Sequence, residues 1–198
     1  MFVIRKPLPW LLAALSVFAF GGAIAAEPAK PAAAAPMKLK FAGQEYLHRW
    51  SKNGQNEFTP AAQPDLDAWR EMVTINVNER VGNGDQLAAL ANGVVNNYSA
   101  AGQIVRTNSK PRTGAHEAEH FIAAMLHAKG VTEAVFARIV LLEGKGVVLV
   151  YSHRAYGAKS AETIGDWMAR NGEATERALM AWNGAPKIAQ LKALPQAK

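Results

Sequence analysis

The chain has 198 residues, 49% hydrophobic and 19% charged, which is typical of a globular protein with one core and excludes an intrinsically disordered chain. It contains no cysteine, which excludes structural disulfides, thiol chemistry and a lipoprotein anchor. The formal net charge of +6 is spread along the chain without a Lys/Arg block, so the sequence predicts a basic surface and no nucleic-acid binding.

The N-terminus has the pattern of a Sec-type signal peptide. Two basic residues precede an uncharged apolar stretch at residues 8–26, which ends in small side chains. This pattern predicts a signal peptide at residues 1–26, cleaved after Ala25 or Ala26, and a periplasmic or secreted protein without an integral membrane domain after cleavage. The alternative is a retained segment that anchors an accessory subunit in the envelope, since the stretch is long enough to span a bilayer.

Two further segments flank the expected domain. Residues 27–36 are rich in Pro and Ala, which predicts an extended linker that cannot pack a core. Asn183 and Gly184 end the last apolar pattern and predict a flexible C-terminal tail at residues 183–198. A single α+β domain is therefore expected at residues 37–182.

The first part of this domain alternates between apolar and polar residues. Residues 45–51 predict a strand. The side chains expected on one side of it are Tyr46, His48 and Trp50. Asn53 and Gly54 predict a hairpin turn into a return strand at residues 56–60. Residues 69–79 predict a third strand. Its inward side chains are expected to be Val73, Ile75 and Val77.

Two helices are expected from apolar residues at three- and four-residue spacing. The first is capped by Asp85 and closed by Gly102. The second begins at Ser160 and is expected to be broken or kinked at Asn171 and Gly172. The buried side of the second helix is expected to comprise Ile164, Trp167, Met168, Ala178, Leu179 and Trp182.

More strands are expected between the two helices. Residues 103–109 predict a short strand, and residues 132–157 predict a second hairpin whose turn is permitted by Gly144 and Gly146. One face of this hairpin is expected to carry Val135, Ala137, Ile139 and Leu141. Strands joined by hairpins with only two main helices predict an α+β fold, a mostly antiparallel sheet with the helices packed on it.

In element order and size, residues 39–182 resemble the PsbP-like superfamily, which includes bacterial periplasmic proteins of the DcrB type. The resemblance implies a layered α+β fold and a non-catalytic accessory or binding role. It offers no motif from which functional residues could be transferred to this sequence.

One pattern in the sequence is typical of a catalytic site. His116, Glu117 and His120 have the spacing H-E-x-x-H. On a helix the two imidazoles would lie about 6 Å apart along the axis and could share one zinc ion, with Glu117 as the general base. On a strand the same step spans about 13 Å, and the two side chains could not bind one ion without a bend in the backbone.

The local sequence leaves helix and strand open. The segment is rich in helix formers, while its apolar run at residues 120–128 suits a strand buried on both faces. The longer zinc-hydrolase motif is not matched, because its third histidine would fall on Leu126 and His127 is one residue off. We therefore expect an extended backbone between His116 and His127, with no catalytic residue, metal ligand or cofactor. The alternative is a zinc-dependent hydrolase with the motif histidines as ligands and its glutamate as base.

Two predicted strands combine aromatic and basic residues, a mixture typical of partner and ligand surfaces. The candidate surface residues are His48, Arg49, Trp50, Tyr151, His153 and Arg154. Tyr151 and His153 are expected on one face of their strand and Arg154 on the other. The candidate residues of the two strands would form one cleft only if the strands are neighbours and the faces that carry these residues coincide. The alternative is that these are buried aromatics and strand-end side chains that extend to solvent.

Other catalytic patterns are absent from the sequence. It has no phosphate loop and no G-x-S-x-G elbow. The sequence therefore predicts an exported, periplasmic, non-enzymatic protein that binds an envelope protein or a small ligand.

Overall fold

The computed structural model describes residues 36–114 and 116–198. The predicted signal peptide at residues 1–26, and the predicted linker up to residue 35, lie outside the described residues. Within the described part, one sheet of eight strands carries three helices. None of these helices is long and apolar enough to cross a membrane. The elements in chain order are β1 (Lys38–Phe41), β2 (Gln44–Lys52), β3 (Gln55–Pro60), β4 (Glu71–Asn78), α1 (Gly84–Ala101), β5 (Gly102–Lys110), β6 (Glu119–Ala128), β7 (Val131–Leu142), β8 (Lys145–Tyr156), α2 (Ser160–Ala181) and α3 (Ile188–Lys192).

The strands lie in the order β1-β2-β3-β4-β8-β7-β6-β5, and every neighbouring pair is antiparallel. Consecutive strands pair everywhere except at the centre, where β4 pairs with β8 and Glu71 lies opposite His153. The predicted α+β fold with a mostly antiparallel sheet is confirmed.

Each face of the sheet is covered by one long helix. Alternate side chains of each strand point to opposite faces, and the buried residues form two clusters accordingly. On the α2 face, α2 and α3 pack over aromatic and aliphatic side chains that include Phe58, Phe121, Phe136 and Leu149. On the α1 face, Leu87 and Ala91 of α1 pack over β-branched and small residues such as Ile122, Ala124, Val135 and Ile139.

Both predicted long helices exist, but their details differ from the prediction. The N-cap of α1 is Asn83, not Asp85, because the Asn83 side chain accepts a hydrogen bond from the backbone N–H of Gln86 at 2.9 Å. The predicted break in α2 is wrong, since the helix continues through Gly172 without interruption. At this point Asn171 donates its side-chain amide to the Trp167 carbonyl at 2.9 Å.

The C-terminal segment is packed, which corrects the flexible tail predicted at residues 183–198. Helix α3 lies in it, and its side chains Ile188 and Leu191 are buried together with Leu194 in the α2-face core. The backbone N–H of Ala197 donates to the Ser51 carbonyl at 2.7 Å. Strand β1, also missed by the sequence pattern, lies at one edge of the sheet.

The two predicted hairpin turns are confirmed. Asn53 and Gly54 have φ values of 52° and 84°, and Glu143 and Gly144 have 50° and 71°. Two successive positive φ values match the type I′ turn, which suits the twist of a hairpin. Gly146 has a different role from the predicted one: it lies in β8, where an added Cβ would meet the Val81 side chain at 2.5 Å.

A buried arginine joins the sheet to the C-terminal end of α2. Arg138 of β7 is 8% exposed, and its Nε donates to the Glu119 carboxylate of β6 at 2.7 Å. Its Nη1 donates to the carbonyls of Trp182 at 2.7 Å and Leu179 at 3.3 Å. The last turn of α2 contains no basic residue, so Arg138 supplies the positive charge that a helix C-terminus favours.

Arg138→Met is expected to lower the free energy of unfolding by about 3 kcal/mol, because it leaves the Glu119 carboxylate and the helix carbonyls without their buried partner. Urea denaturation of the two proteins measures the difference. The control is Lys38→Met, which removes an exposed pair with Glu45 at 3.0 Å and should change the stability by roughly 1 kcal/mol or less. Equal effects of the two substitutions would contradict the role of Arg138.

Candidate functional site

The six residues predicted as a partner surface do not form one cleft. Strands β2 and β8 are separated by β3 and β4. His48, Tyr151 and His153 lie on the α2 face, whereas Arg49, Trp50 and Arg154 lie on the α1 face. The predicted opposite orientations of His153 and Arg154 are confirmed.

A bulge at Arg49 changes the orientation of Trp50. His48 pairs with Phe58, but Trp50 pairs with Glu57, so one extra residue of β2 lies between the two pairs. Because Phe58 and Glu57 are consecutive in β3, their partners point to opposite faces. The prediction that Tyr46, His48 and Trp50 share one side is therefore wrong for Trp50.

His48 belongs to a short chain of hydrogen bonds on the α2 face. Its Nε2 lies 2.8 Å from the Ser51 hydroxyl, which in turn donates to the Asn56 side-chain oxygen at 2.7 Å. Since the single hydroxyl proton is used on Asn56, the His48 Nε2–H must be the donor to Ser51. Burial holds the pKa of His48 below its usual value. This histidine is a neutral structural group at neutral pH.

Tyr151 and His153 meet a carboxylate and a tryptophan at the end of the α2 face. The Tyr151 hydroxyl donates to Glu71 Oε1 at 3.3 Å, and His153 Nδ1 lies 3.8 Å from the same oxygen. The His153 ring stacks on Trp167 of α2 with centroids 4.3 Å apart. Burial raises the pKa of Tyr151, so its hydroxyl stays protonated and can donate. Contact with His153 holds the pKa of Glu71 below its usual value, against the opposite effect of burial.

On the α1 face the two arginines hold the loop between β3 and β4. Arg154 donates through Nη2 and Nε to one oxygen of Glu133 at 2.6 and 3.1 Å, and its guanidinium lies 3.8 Å from the Trp69 ring centroid. Arg49 donates to the Thr59 hydroxyl at 2.9 Å and to the Pro60 carbonyl at 3.1 Å. Both guanidinium groups are committed to contacts within the chain.

The H-E-x-x-H residues are divided between a loop and a strand. His120 lies in β6, as expected for an extended segment, while His116 is exposed in the preceding loop. His120 Nδ1 lies 3.1 Å from the Ser109 hydroxyl, and the Glu117 carboxylate pairs with Arg112 at 3.3 Å. In the described ranges 36–114 and 116–198, no three His, Asp or Glu side chains are placed to hold a metal ion.

An apolar groove on the α2 face was missed by the sequence patterns. A groove with a volume of about 340 Å³ runs between α2 and the strands β5 and β6; we call it the β5–α2 groove. Its sheet side includes Val105, Phe121, Ala123, Met125 and Phe136, and its helix side includes Gly165, Met168, Ala169 and Gly172.

The groove is open because of two local features. On the helix side it is lined by small residues, and a Cβ added at Gly165 would meet no atom within 4 Å. On the sheet side, β5 has a bulge between Ile104 and Arg106. The Val105 side chain at this bulge points outward and is 50% exposed. The spacing of Gly165, Ala169 and Gly172 was the available sequence signal, but small residues in a helix do not by themselves indicate a groove.

Comparisons with known proteins give distant structural matches only. No family model and no curated protein matches the chain. A Pseudomonas aeruginosa protein of unknown function, PA94, has 11% identity and a TM-score of 0.43, over 77% of this chain and 99% of that chain. The Saccharomyces cerevisiae Ran-binding protein Mog1p has 11% identity and a TM-score of 0.39, over 74% and 78%. A mutant form of Mog1 has 8% identity and a TM-score of 0.43, over 73% and 93%.

Glu71→Gln is expected to lower the free energy of unfolding at neutral pH. Because the folded-state pKa of Glu71 lies below its usual value, the ionised carboxylate stabilises the folded protein above that usual value. The contribution is lost as the pH falls through the lowered pKa, so the two proteins should converge in acid. Urea denaturation across this pH range measures the difference, with Glu162→Gln as an exposed control on α2. A difference that is constant with pH would contradict the ionic role.

Proposed function

We propose that the protein is a non-enzymatic binding or accessory protein that is exported to the periplasm. The observation that carries the binding role is the β5–α2 groove, with exposed Val105 at its rim. A cleft of this volume with a mainly apolar lining is the usual form of a site where a ligand or a partner side chain binds. Export is supported by the signal-peptide pattern, and the PsbP-like element order agrees with an accessory role.

The groove has the chemistry of a binding site. Phe121 and Phe136 form part of its floor and are each 1% exposed, so the floor is well packed. Polar side chains stand at its rim, where Glu173 is 80% exposed and Arg106 is 59% exposed. An apolar floor with a few polar groups at the edge favours an occupant that has both apolar and polar parts.

A secondary contact surface is proposed at the predicted residues. Tyr151 and His153 lie beside Trp167 and Glu71, and the His153 and Glu71 side chains are 19% and 33% exposed. This aromatic and charged end of the α2 face has the composition of a partner surface. Arg49, Trp50 and Arg154 are proposed to contribute through the opposite face, where the two arginines hold the loop between β3 and β4. His48 lies on the same face as Tyr151 but with two strands between them, and it is proposed to contribute only by holding β2 through Ser51.

Metal analysis distinguishes the alternative function, a zinc-dependent hydrolase, from the proposed non-enzymatic role. The protein and a His116→Ala/His120→Ala variant, both purified without added zinc, are expected to contain no stoichiometric zinc. The reason is that His116 lies in a loop, while the Nδ1 of His120 is engaged by Ser109 on a strand. Near-equimolar zinc in the parent protein alone would support the hydrolase and overturn the non-enzymatic role.

One photo-crosslinking experiment in the cells that naturally make the protein tests both the binding role and the export. A photo-crosslinking residue in place of Val105 is expected to give a discrete adduct, because the side chain lies at the groove rim. The adduct should be lost when Gly165→Trp fills the groove, and should persist with Gly93→Trp, a control in α1 where an added Cβ also meets no atom within 4 Å. The same material should be periplasmic and begin after Ala25 or Ala26. An intact Met1 would favour the anchored accessory subunit, and no adduct would contradict binding at this site.

A further inference from the structure

The two edges of the sheet differ in how they are protected. Edge strand β1 has four residues, and Lys38 and Lys40 are exposed on it. Short edge strands with lysines resist the addition of another strand. Edge strand β5 has nine residues, and within the described part of the chain no strand pairs with its outer side. Its last five residues, 106–110, pair regularly with β6. The backbone of β5 therefore offers hydrogen-bonding groups next to the groove, and a bound strand would replace the contact of the Ser109 N–H with the Asn108 side chain at 2.8 Å.

Beside the groove, the positive charges of β5 are exposed and their partners are recessed. Arg106 is 59% exposed, whereas its partner Glu176, 2.9 Å away, is 10% exposed. Lys110 is 53% exposed, and Glu119, 3.5 Å away, is 18% exposed. Arg112 in the following loop is 73% exposed and its partner Glu117 is 31% exposed. Along β5, an approaching molecule therefore meets these three cations before their acidic partners.

We propose that β5 binds an extended polypeptide segment of a partner protein as a ninth strand of the sheet. The segment carries carboxylates that face Arg106 and Lys110 and an apolar side chain that enters the β5–α2 groove. This inference rests on the proposed binding role and specifies its partner. In such strand addition, main-chain hydrogen bonds provide affinity and pockets for alternate side chains provide specificity.

The geometry of β5 defines the spacing in the partner. Arg106 and Lys110 pair with Ala123 and Glu119 on the α2 face, and they are separated by four residues, or about 13 Å along the strand. Directly opposite residues of neighbouring strands share a face. The segment therefore needs acidic residues four positions apart. If the segment runs antiparallel to β5, its first acidic residue lies opposite Lys110 and its second lies opposite Arg106. The apolar residue then follows the second acidic residue by two positions, beside the bulge at Val105.

The charges of β5 argue against a second copy of the chain as the occupant. A symmetric antiparallel pair that aligns residues 106–110 of two copies is centred on Asn108. This register places Arg106 opposite Lys110 of the second copy, twice. Like charges directly opposite each other destabilise a strand pair. The same two positions favour carboxylates from a different chain.

The test uses a labelled nonapeptide with glutamate at its second and sixth positions, phenylalanine at its eighth, and threonine or valine elsewhere. Fluorescence anisotropy with the mature protein is expected to show saturable binding that weakens with salt. Replacing both glutamates by lysine should weaken binding about tenfold or more. N-methylation of the amides that face the protein keeps the charges but removes strand hydrogen bonds, and it should abolish binding.

Two double variants of the protein test whether the peptide binds at β5 and not at another part of the surface. Arg106→Ala/Lys110→Ala should weaken binding of the acidic peptide about tenfold. Lys38→Ala/Lys40→Ala removes the same charge from the opposite edge and should leave binding unchanged. Circular dichroism checks that both variants fold. Hydrogen exchange of the bound protein should protect the amides of β5.

Several results would overturn the inference. These are no saturable binding, equal weakening by both double variants, full binding of the N-methylated peptide, or protection elsewhere in the chain. A dimer in sedimentation that is dissociated by the Arg106→Ala/Lys110→Ala variant would assign the edge to a second copy instead. If the peptide fails while the crosslinked adduct at position 105 forms, strand addition is wrong and the binding role stands. If both fail, the binding role at this site fails as well.

Discussion

The position of α2 on the sheet depends on the buried contacts of Arg138. One guanidinium binds the Glu119 carboxylate of the neighbouring strand and two carbonyls near the end of the helix. Lys110 adds a second cation, donating to the Met180 carbonyl at 3.0 Å. Because the helix has no basic residue in its own last turn, its C-terminal carbonyls are neutralised from the sheet. This arrangement fixes the end of the helix above β5, β6 and β7.

The same arrangement explains how an apolar groove can persist in a folded domain. Glu176 of α2 binds Arg106 at 2.9 Å and the Asn108 side chain at 2.9 Å, so the helix is tied to β5 by polar contacts near its C-terminal end. Toward the N-terminal end, Gly165 and Ala169 are too small to reach the strand. Charged contacts at one end and small residues at the other leave the space open between them.

The parts of the fold that depend on local chemistry could be predicted from the sequence. Asn53-Gly54 specifies its turn because both residues tolerate positive φ, and the alternation through Val73 and Ile75 places a buried strand. The bulge at Arg49 could not be predicted, since it depends on pairing with β3. The packing of Leu191 could not be predicted either, because Gly and Pro residues before α3 give the pattern of a tail. The candidate site depends on which strand forms the edge, and this is decided by the tertiary pairing of β4 with β8.

That central pairing also governs the order in which the sheet can be completed. The ribosome makes β4 long before β8, and Glu71 and His153 are far apart in the chain. Until β8 emerges, β4 lacks the partner with which it pairs on one side, and Val73 and Ile75 lack the core that they share with Leu149 and Tyr151 of β8. Contacts between distant segments form slowly because the intervening chain must first be confined. A chaperone that recognises extended apolar segments would therefore find an accessible target in β4 before β8 is made.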